Sequence, residues 1–365
     1  MLDNIGSYKS EDVIFLLKNI NGLIKEEDNK TREAKIQSGV HYSMMLPIEY
    51  KPSDEYVDLF HKSLDKYKLK IASYVRDIAL KIYDKKDKNL VLVSLARAGT
   101  PAGILIKRYL KYEKNIDIPH YSISIIRGRG FDENALKYIL KNHKNANIQF
   151  VDGWTGKGAI TNVLKKGVKD FYDKYDILLD DSLAVIADPG SCTNLFGTRN
   201  DFLLPSACLN STVSGLVSRT VLREDIIKEN DFHGARFYEE LKDEDLSNYF
   251  IDEITNEFSN LKKESINFDI SNIDVNFEGL KDVNKIKEEF EITDINFIKP
   301  GVGETTRVLL RRVPDLVLVN KNYKNHEDLN HIYKLAKEKD IKIKEYDLFN
   351  YKCCGIIKNI KKGSI

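Results

Sequence analysis

Hydrophobic positions change their period several times along this chain, and each change predicts an element. Over 54–83, Val57, Phe60, Leu64, Tyr67, Ile71, Val75, Ile78 and Ile82 recur every three or four residues, which predicts a long amphipathic helix. From Leu90 onward, short apolar runs alternate with helix-spaced stretches. The runs predict strands over 90–95, 121–126, 147–151 and 183–187, and the stretches predict helices over 101–111, 133–142 and 160–172. Strands alternating with helices predict an α/β fold, a mostly parallel sheet with helices on both faces. The first forty residues read as an irregular arm with one short helix over 11–19.

Past Glu239 the chain turns acidic but keeps Leu246, Phe250, Ile254 and Phe258 at helical spacing. Residues 266–279 carry no period, so the expected domains are 1–263, a linker over 264–280, and 281–365. The second unit is expected as helix 283–289, strand 294–297, helix 305–311, strand 316–319, helix 327–339, strand 342–346 and strand 354–357. A lysine-rich tail from Lys358 is expected to fray.

Composition narrows the function. The chain has 365 residues, 42% of them hydrophobic, and a formal net charge of +1. That balance gives no global attraction to nucleic acid or membrane, so a basic site must be local. Cys192, Cys208, Cys353 and Cys354 lack C-x-x-C spacing, which argues against a zinc site or a disulfide framework. No basic-then-apolar segment opens the sequence and no apolar run reaches membrane length, so the expected location is the cytoplasm and no membrane partner is expected.

The stretch Phe150-Val151-Asp152-Gly153-Trp154-Thr155-Gly156-Lys157-Gly158-Ala159 carries the strongest chemical signal. An apolar strand ends on an acid, a glycine-rich turn with a hydroxyl and a lysine follows, and then a helix begins. Glycines let backbone N–H groups close on a phosphate, and the helix N-terminus adds the positive end of its dipole. A P-loop is excluded, because Val151 stands where its first glycine belongs and Gly158 where its Ser or Thr would hold magnesium. The spacing of Gly153, Gly156 and Gly158 also differs from the dinucleotide fingerprint. A plain strand–turn–helix connection would favour glycine too, but it does not require Asp152, Thr155 and Lys157 together.

Two other loops fall at the carboxyl ends of neighbouring strands, where open α/β sheets place ligands. One is Ser94-Leu95-Ala96-Arg97-Ala98-Gly99-Thr100-Pro101, and the other is Arg127-Gly128-Arg129-Gly130-Phe131-Asp132. Each reads either as an anion-binding bend or as a solvated turn. A small loop with an arginine, a mobile basic loop and an acid-plus-glycine loop, in that order, resemble a type I phosphoribosyltransferase over 90–188. The resemblance implies that Ser94, Ala98, Gly99 and Thr100 hold pyrophosphate with Arg97, that Arg127 and Arg129 close over it, and that Gly153, Thr155, Gly156, Lys157 and Gly158 hold the ribose 5-phosphate. Asp152 would contact the ribose hydroxyls and, indirectly, a metal ion. The family's usual second acid is replaced by Gly153, which makes Asp188 a candidate substitute.

Longer motifs sharpen the likeness: Gly39-Val40-His41-Tyr42-Ser43-Met44-Met45-Leu46-Pro47, Val93 to Pro101, His120 to Arg127, Val151 to Gly158, and Pro205-Ser206-Ala207-Cys208-Leu209-Asn210-Ser211-Thr212 onward to Thr220. These resemble the bacterial PRTase–Pelota family, which also carries the label cysteine protease StiP and is linked with tellurite and stress resistance. The family has an acid between the two arginines of the mobile loop, where this chain has Gly128. The resemblance implies an enzyme that moves ribose 5-phosphate from phosphoribosyl pyrophosphate, with Mg2+, to a base-like acceptor. Arg199, Asp201, Asn210, Ser214 and Arg219 are the candidates for the acceptor pocket, or else a hydroxyl-rich turn packed on the sheet. A nucleotide sensor without turnover is the rival reading, and a peptidase built on Cys208 with His41 or His120 is a second.

From Lys281 to Ile365 there are 18 Lys/Arg against 13 Asp/Glu. A glycine-rich entry to a helix, with Lys299, Gly301, Gly303, Thr305, Arg307, Arg311 and Arg312, suits a nucleic-acid backbone or, equally, a solvated basic face. This stretch resembles the Pelota-type domain, an α-β-α unit, which implies RNA as a partner with modest, salt-sensitive affinity.

Overall fold

The computed structural model describes residues 5–86, 89–97, 99–262 and 273–359. Its main sheet has seven strands. Six are parallel, in the spatial order Ile14–Leu16, His120–Ile126, Leu90–Ala96, Asn147–Trp154, Leu183–Ala187 and Leu195–Thr198. Gly130–Phe131 folds back antiparallel on His120–Ile126. Period-two alternation sends successive side chains to opposite faces. Leu92 and Ala96 pack with the helices Asp54–Lys86 and Gly99–Lys114, while Val91, Val93 and Leu95 pack with Glu133–Asn142 and Ala159–Tyr175. Each fully buried Leu, Val or Phe of these layers contributes roughly 1.5–3 kcal/mol.

Two expectations for this unit fail. The helix expected over 11–19 is instead the edge strand Ile14–Leu16 followed by the short strand Lys18–Asn19. Val13, Phe15, Leu16 and Leu17 are all buried. A short apolar run has no period to separate strand from helix, and the open edge of His120–Ile126 supplies its hydrogen bonds. Strand Asn147–Trp154 also runs three residues further than expected, so Gly153 belongs to the strand and the turn is confined to 155–158.

The second unit is a four-stranded mixed sheet ordered Ile298–Pro300, Cys353–Ile357, Pro314–Asn320, Lys342–Tyr346. Helix Glu278–Glu289 packs on one face through Val283 and Ile286 against Leu318, Cys354 and Ile356. Helices Val302–Arg311 and Asn330–Glu338 cover the other face with Val317, Val319 and Cys353. Cys353 and Cys354 therefore point to opposite faces, as strand geometry requires. The strand expected over 294–297 is a 3-10 turn, Ile295–Phe297, with the strand beginning at Ile298, because Asp294 caps the turn by accepting from the Asn296 N–H. Much of the expected linker and most of the expected frayed tail lie outside the described residues, and Glu278–Glu289 begins inside the stretch read as linker.

The two units share one apolar core. Val302, Leu309 and Leu310 of the second unit cluster with Phe202, Leu204, Ala207 and Cys208 of the first. Asp201 is buried between them, its carboxylate accepting the Val302 and Lys352 N–H groups, both at 2.8 Å.

Candidate functional site: a cationic cleft between two units

A cavity of about 1010 Å³ opens at the carboxyl ends of the parallel strands, and the C-terminal unit forms its far wall. Ten lysines and arginines line it (Arg32, Lys51, Arg97, Arg127, Lys157, Arg219, Lys299, Arg307, Arg311, Arg312), against five carboxylates (Glu33, Glu49, Asp152, Asp294, Glu304). That excess of five positive charges is local, in a chain whose formal net charge is +1. Low-dielectric walls strengthen it and favour a polyanion.

The acid-plus-glycine loop forms part of this lining. Asp152 is 9% exposed, at the end of its strand, and its Oδ1 accepts the Gly153 N–H at 2.7 Å. It makes no ion pair among the described residues, so burial pushes its carboxyl up to about 7, with the Gly153 N–H and distant Arg307 offsetting only part of that. Thr155, Gly156, Lys157 and Gly158 line the cavity. Gly158 has φ +77°, a conformation other residues rarely adopt, and it caps the helix Ala159–Tyr175. Lys157 crosses to the other unit, its Nζ donating to the carbonyls of Ile295 at 2.6 Å and Ile298 at 3.1 Å. Burial and nearby Arg127 bring its pKa down to about 8.

Arg97 and Arg127 enter the same space. Arg97 donates to the Val217 carbonyl at 3.1 Å and faces Glu49 at 3.7 Å. The peptide bond between Ala96 and Arg97 is cis. Arg127 lies over the Tyr42 ring and donates to Asn296 Oδ1 at 2.8 Å. Across the cleft, burial and the repulsion of neighbouring cations bring Lys299 down to about 7 and Arg311 and Arg219 to about 9. Arg219 is exposed to solvent within the cleft and feels the like charges of Arg32, Arg312, Arg97 and Arg127. Glu304 stays near 2 despite burial because Arg307 and Lys299 hold it ionised.

Several residues expected to bind ligand are placed elsewhere. Ser94 is buried beneath the site, bonded to His120 Nε2 at 2.7 Å, and Thr100 to Ser122 at 2.8 Å. Gly99 serves packing, since a Cβ there would lie 2.5 Å from the Val151 carbonyl oxygen. Ala98 lies outside the described residues. Arg129 points away and donates to the Leu222 carbonyl at 3.2 Å. Asp188 cannot replace a second ribose acid: its carboxylate is 0% exposed, accepts the Cys192 and Thr193 N–H groups at 2.9 Å, and pairs with Arg199. Arg199 is thereby taken from the acceptor pocket as well, stacked on Phe196. Asp201 joins the two units rather than facing the cleft. Asn210, Ser214 and Arg219 do line it. Asn210 accepts from Arg311, and the Ser214 hydroxyl is turned onto the Asn210 carbonyl.

The residues expected to contact RNA divide in the same way. Lys299, Gly303, Arg307, Arg311 and Arg312 line the cleft. Gly301 and Thr305 do not: Gly301 packs against Trp154 and Asp201, and Thr305 is buried with its hydroxyl on the Lys299 carbonyl at 3.4 Å. The basic face expected to meet a nucleic acid or solvent is therefore turned inward, onto the Thr155–Gly158 loop. Sequence reasoning missed Arg32, which lies in the stretch read as an irregular arm, and Glu49, which lies just beyond it.

All four cysteines are buried and free. Burial pushes the thiols of Cys192, Cys208 and Cys354 up to about 12. The polar neighbour of Cys208 is Ser63 Oγ at 3.9 Å. His41 is committed to Ser43 and the Arg127 carbonyl, and His120 to Ser94 and the Asp12 carbonyl. A nucleophilic thiol needs a depressed pKa. Native protein treated with iodoacetamide at pH 8 should therefore show no alkylated cysteine by mass spectrometry, whereas all four should react after unfolding. Rapid native labelling of Cys208 would contradict this geometry.

Fold and cleft together define an α/β protein with a cationic cavity at the ends of its parallel strands, walled on the far side by an appended unit. Residues 6–255 match the family described as tellurite-like stress resistance cysteine protease StiP, and residues 277–359 match the PELOTA RNA binding domain. The chain belongs to the StiP family. A relative from Acinetobacter baylyi, named Cysteine protease StiP, is 35% identical over 98% of this chain and 95% of its own length. Among solved structures, a hypoxanthine phosphoribosyltransferase from Trypanosoma cruzi in complex with the product IMP overlays with a TM-score of 0.28, at 12% identity, over 50% of this chain and 93% of that one. A hypoxanthine-guanine-xanthine phosphoribosyltransferase gives a TM-score of 0.23 at 15% identity, over 32% of this chain and 62% of the other. Overlays this loose carry no argument about activity. Among the described residues, no helix is long and apolar enough to cross a membrane.

Proposed function

We propose that this protein is a phosphoribosyltransferase that takes phosphoribosyl pyrophosphate into the cleft between its two units and transfers the ribose 5-phosphate to a second ligand. The observation that carries the reading is the convergence of Arg97, Arg127, Asp152 and the Thr155–Gly158 loop on one cavity with a large cationic excess. The loop and the start of helix Ala159–Tyr175 suit the 5-phosphate. Arg97, Arg127 and, on the C-terminal wall, Lys299, Arg307 and Arg311 suit the diphosphate. Transfer at the anomeric carbon passes through an oxocarbenium-like state, and fixed cations at the departing diphosphate stabilise the charge that develops there.

Magnesium fits this donor set as a companion of the substrate. Among the described residues no three His, Cys, Asp or Glu side chains cluster to hold an ion alone. Asp152, buried and without a cationic partner at hand, is the carboxylate placed to share such an ion or to accept ribose hydroxyls. The ion, when bound, would neutralise charge on the diphosphate.

The inward-turned Pelota-like unit gains a role under this reading, since Lys299, Arg307 and Arg311 add charge to the site. Incubation with phosphoribosyl pyrophosphate, Mg2+ and a panel of bases and nucleotides should release pyrophosphate with at least one acceptor. Lys157→Met should weaken substrate binding about tenfold or more, the worth of one charge-assisted hydrogen bond. Tight binding with no release under any acceptor would favour a nucleotide sensor instead.

A further inference from the structure

Three arginines from three separate segments share one wall of the cleft: Arg32 on the helix Asn29–Gln37, Arg219, and Arg312 just past the helix Val302–Arg311. Arg32 is 3% exposed, and its Nε and Nη2 are buried without a hydrogen-bond partner. No carboxylate pairs with it, or with Arg219, among the described residues. Arg312 pairs with Glu33 at 3.1 Å, yet its Nε is also buried and unsatisfied. Stripping water from a guanidinium without replacing its partners is unfavourable, and crowding three like charges adds to that. The three charges act on one another, and Arg97 and Arg127 act on Arg219, so this wall adjoins the proposed phosphoribosyl site.

The missing partner is an anion, and its charge follows from the wall. Three guanidinium groups less Glu33 leave a net of about +2, since Glu27, which also acts on Arg32, is paired with Lys35, and that net matches a phosphate monoester dianion. A carboxylate would leave one charge uncompensated. Neither the helix Asn29–Gln37 nor Arg312 belongs to the strand-end loops suited to the phosphoribosyl group. A cavity of about 1010 Å³ has room for a second nucleotide-sized molecule. We propose that Arg32, Arg219 and Arg312 form a subsite for the terminal phosphate of a small phosphorylated acceptor, such as a nucleoside monophosphate. Calling that ligand the acceptor rests on the transferase reading; the phosphate subsite itself does not.

Calorimetric titration of the full chain tests this, using nucleoside 5′-monophosphates and the matching nucleosides, each with and without phosphoribosyl pyrophosphate and Mg2+. A monophosphate should bind about tenfold or more tightly than its nucleoside, the worth of charge-assisted hydrogen bonds to the phosphate. Arg32→Met and Arg219→Met should abolish that difference and leave phosphoribosyl pyrophosphate binding unchanged. Arg32→Met removes a buried, unpaired charge, so its melting temperature should stay level or rise, which verifies folding. Equal binding of monophosphate and nucleoside to the native protein would overturn the proposal. So would loss of phosphoribosyl pyrophosphate binding in both variants, because the arginines would then hold its diphosphate. Binding of a 5′-phosphorylated oligonucleotide but of no monophosphate would assign the wall to RNA and overturn it too. If monophosphates bind through these arginines while phosphoribosyl pyrophosphate does not bind at all, the subsite stands and the transferase reading falls.

Discussion

Replacing Asp152 with Asn should make the protein more stable at neutral pH and much poorer at holding its ligand. The carboxyl is buried without a counter-ion, and burial raises its pKa from an ordinary 3.8 to about 7. An acid whose pKa rises on folding binds its proton more tightly in the folded chain. The folded state therefore loses stability as pH climbs from about 4 through about 7, and loses nothing below about 4. Asn keeps the acceptor for the Gly153 N–H and never ionises. The gain above pH 7 should amount to a few kcal/mol, with about 4 as an upper limit. Thermal melts at pH 4 and pH 8 check this: the two proteins should melt together at the lower pH and several degrees apart at the higher. Substrate affinity should move the opposite way, since the same uncompensated charge is what favours a metal ion or ribose hydroxyls. Such a trade of stability for function is common at binding sites.

Gly190→Ala should be the most damaging single methyl in the chain. A Cβ at Gly190 would fall 1.5 Å from the Gly156 carbonyl oxygen and 3.0 Å from Tyr351 Oη. Both the obstacle and the obstructed residue are backbone, so no rotamer change relieves the clash. Gly190 also accepts the Gly279 N–H at 3.1 Å, and Tyr351 Oη donates to the Gly156 carbonyl at 3.0 Å. The Thr155–Gly158 loop, the loop after Leu183–Ala187 and the C-terminal unit thus meet at one glycine contact. Forcing them apart should cost about 3 kcal/mol or more and displace the loop that holds Lys157. Urea denaturation should show the loss, and ligand titration should show affinity falling with it. Gly303→Ala is the control: its methyl would meet Ala207 at 3.4 Å within a helix, so stability should hold or improve. Equal behaviour of the two variants would show that the Gly190 contact does not brace the site.

Most of the fold was legible because its signals are local. The helix Asp54–Lys86 and the central strands follow from apolar period alone. The edge strand Ile14–Leu16 was not legible, since a five-residue apolar run has no period and its partner lies more than a hundred residues away. The strand Leu195–Thr198 escaped notice for a similar reason: Gly197 interrupts its pattern, and close approach of Tyr74 and the Ile186 carbonyl explains that glycine. In the site, Asp152 and the loop after it were readable because strand, turn and helix follow one another in sequence. The burial of Ser94, Thr100 and Asp188 was not legible, because it depends on what packs above them. The inward turn of Lys299, Arg307 and Arg311 depends on docking between units and leaves no mark in sequence. Arg32 is the clearest case: one arginine on a short polar helix, given meaning only by the cleft it faces.

The cleft is proposed to bind phosphoribosyl pyrophosphate, with Asp152 at the ribose. Titration of the full chain with phosphoribosyl pyrophosphate and Mg2+, repeated on Asp152→Ala, tests it most directly. Saturable, magnesium-dependent binding that the substitution abolishes is the expected result. Binding that persists undiminished in Asp152→Ala, or no binding to the native protein at all, would contradict it.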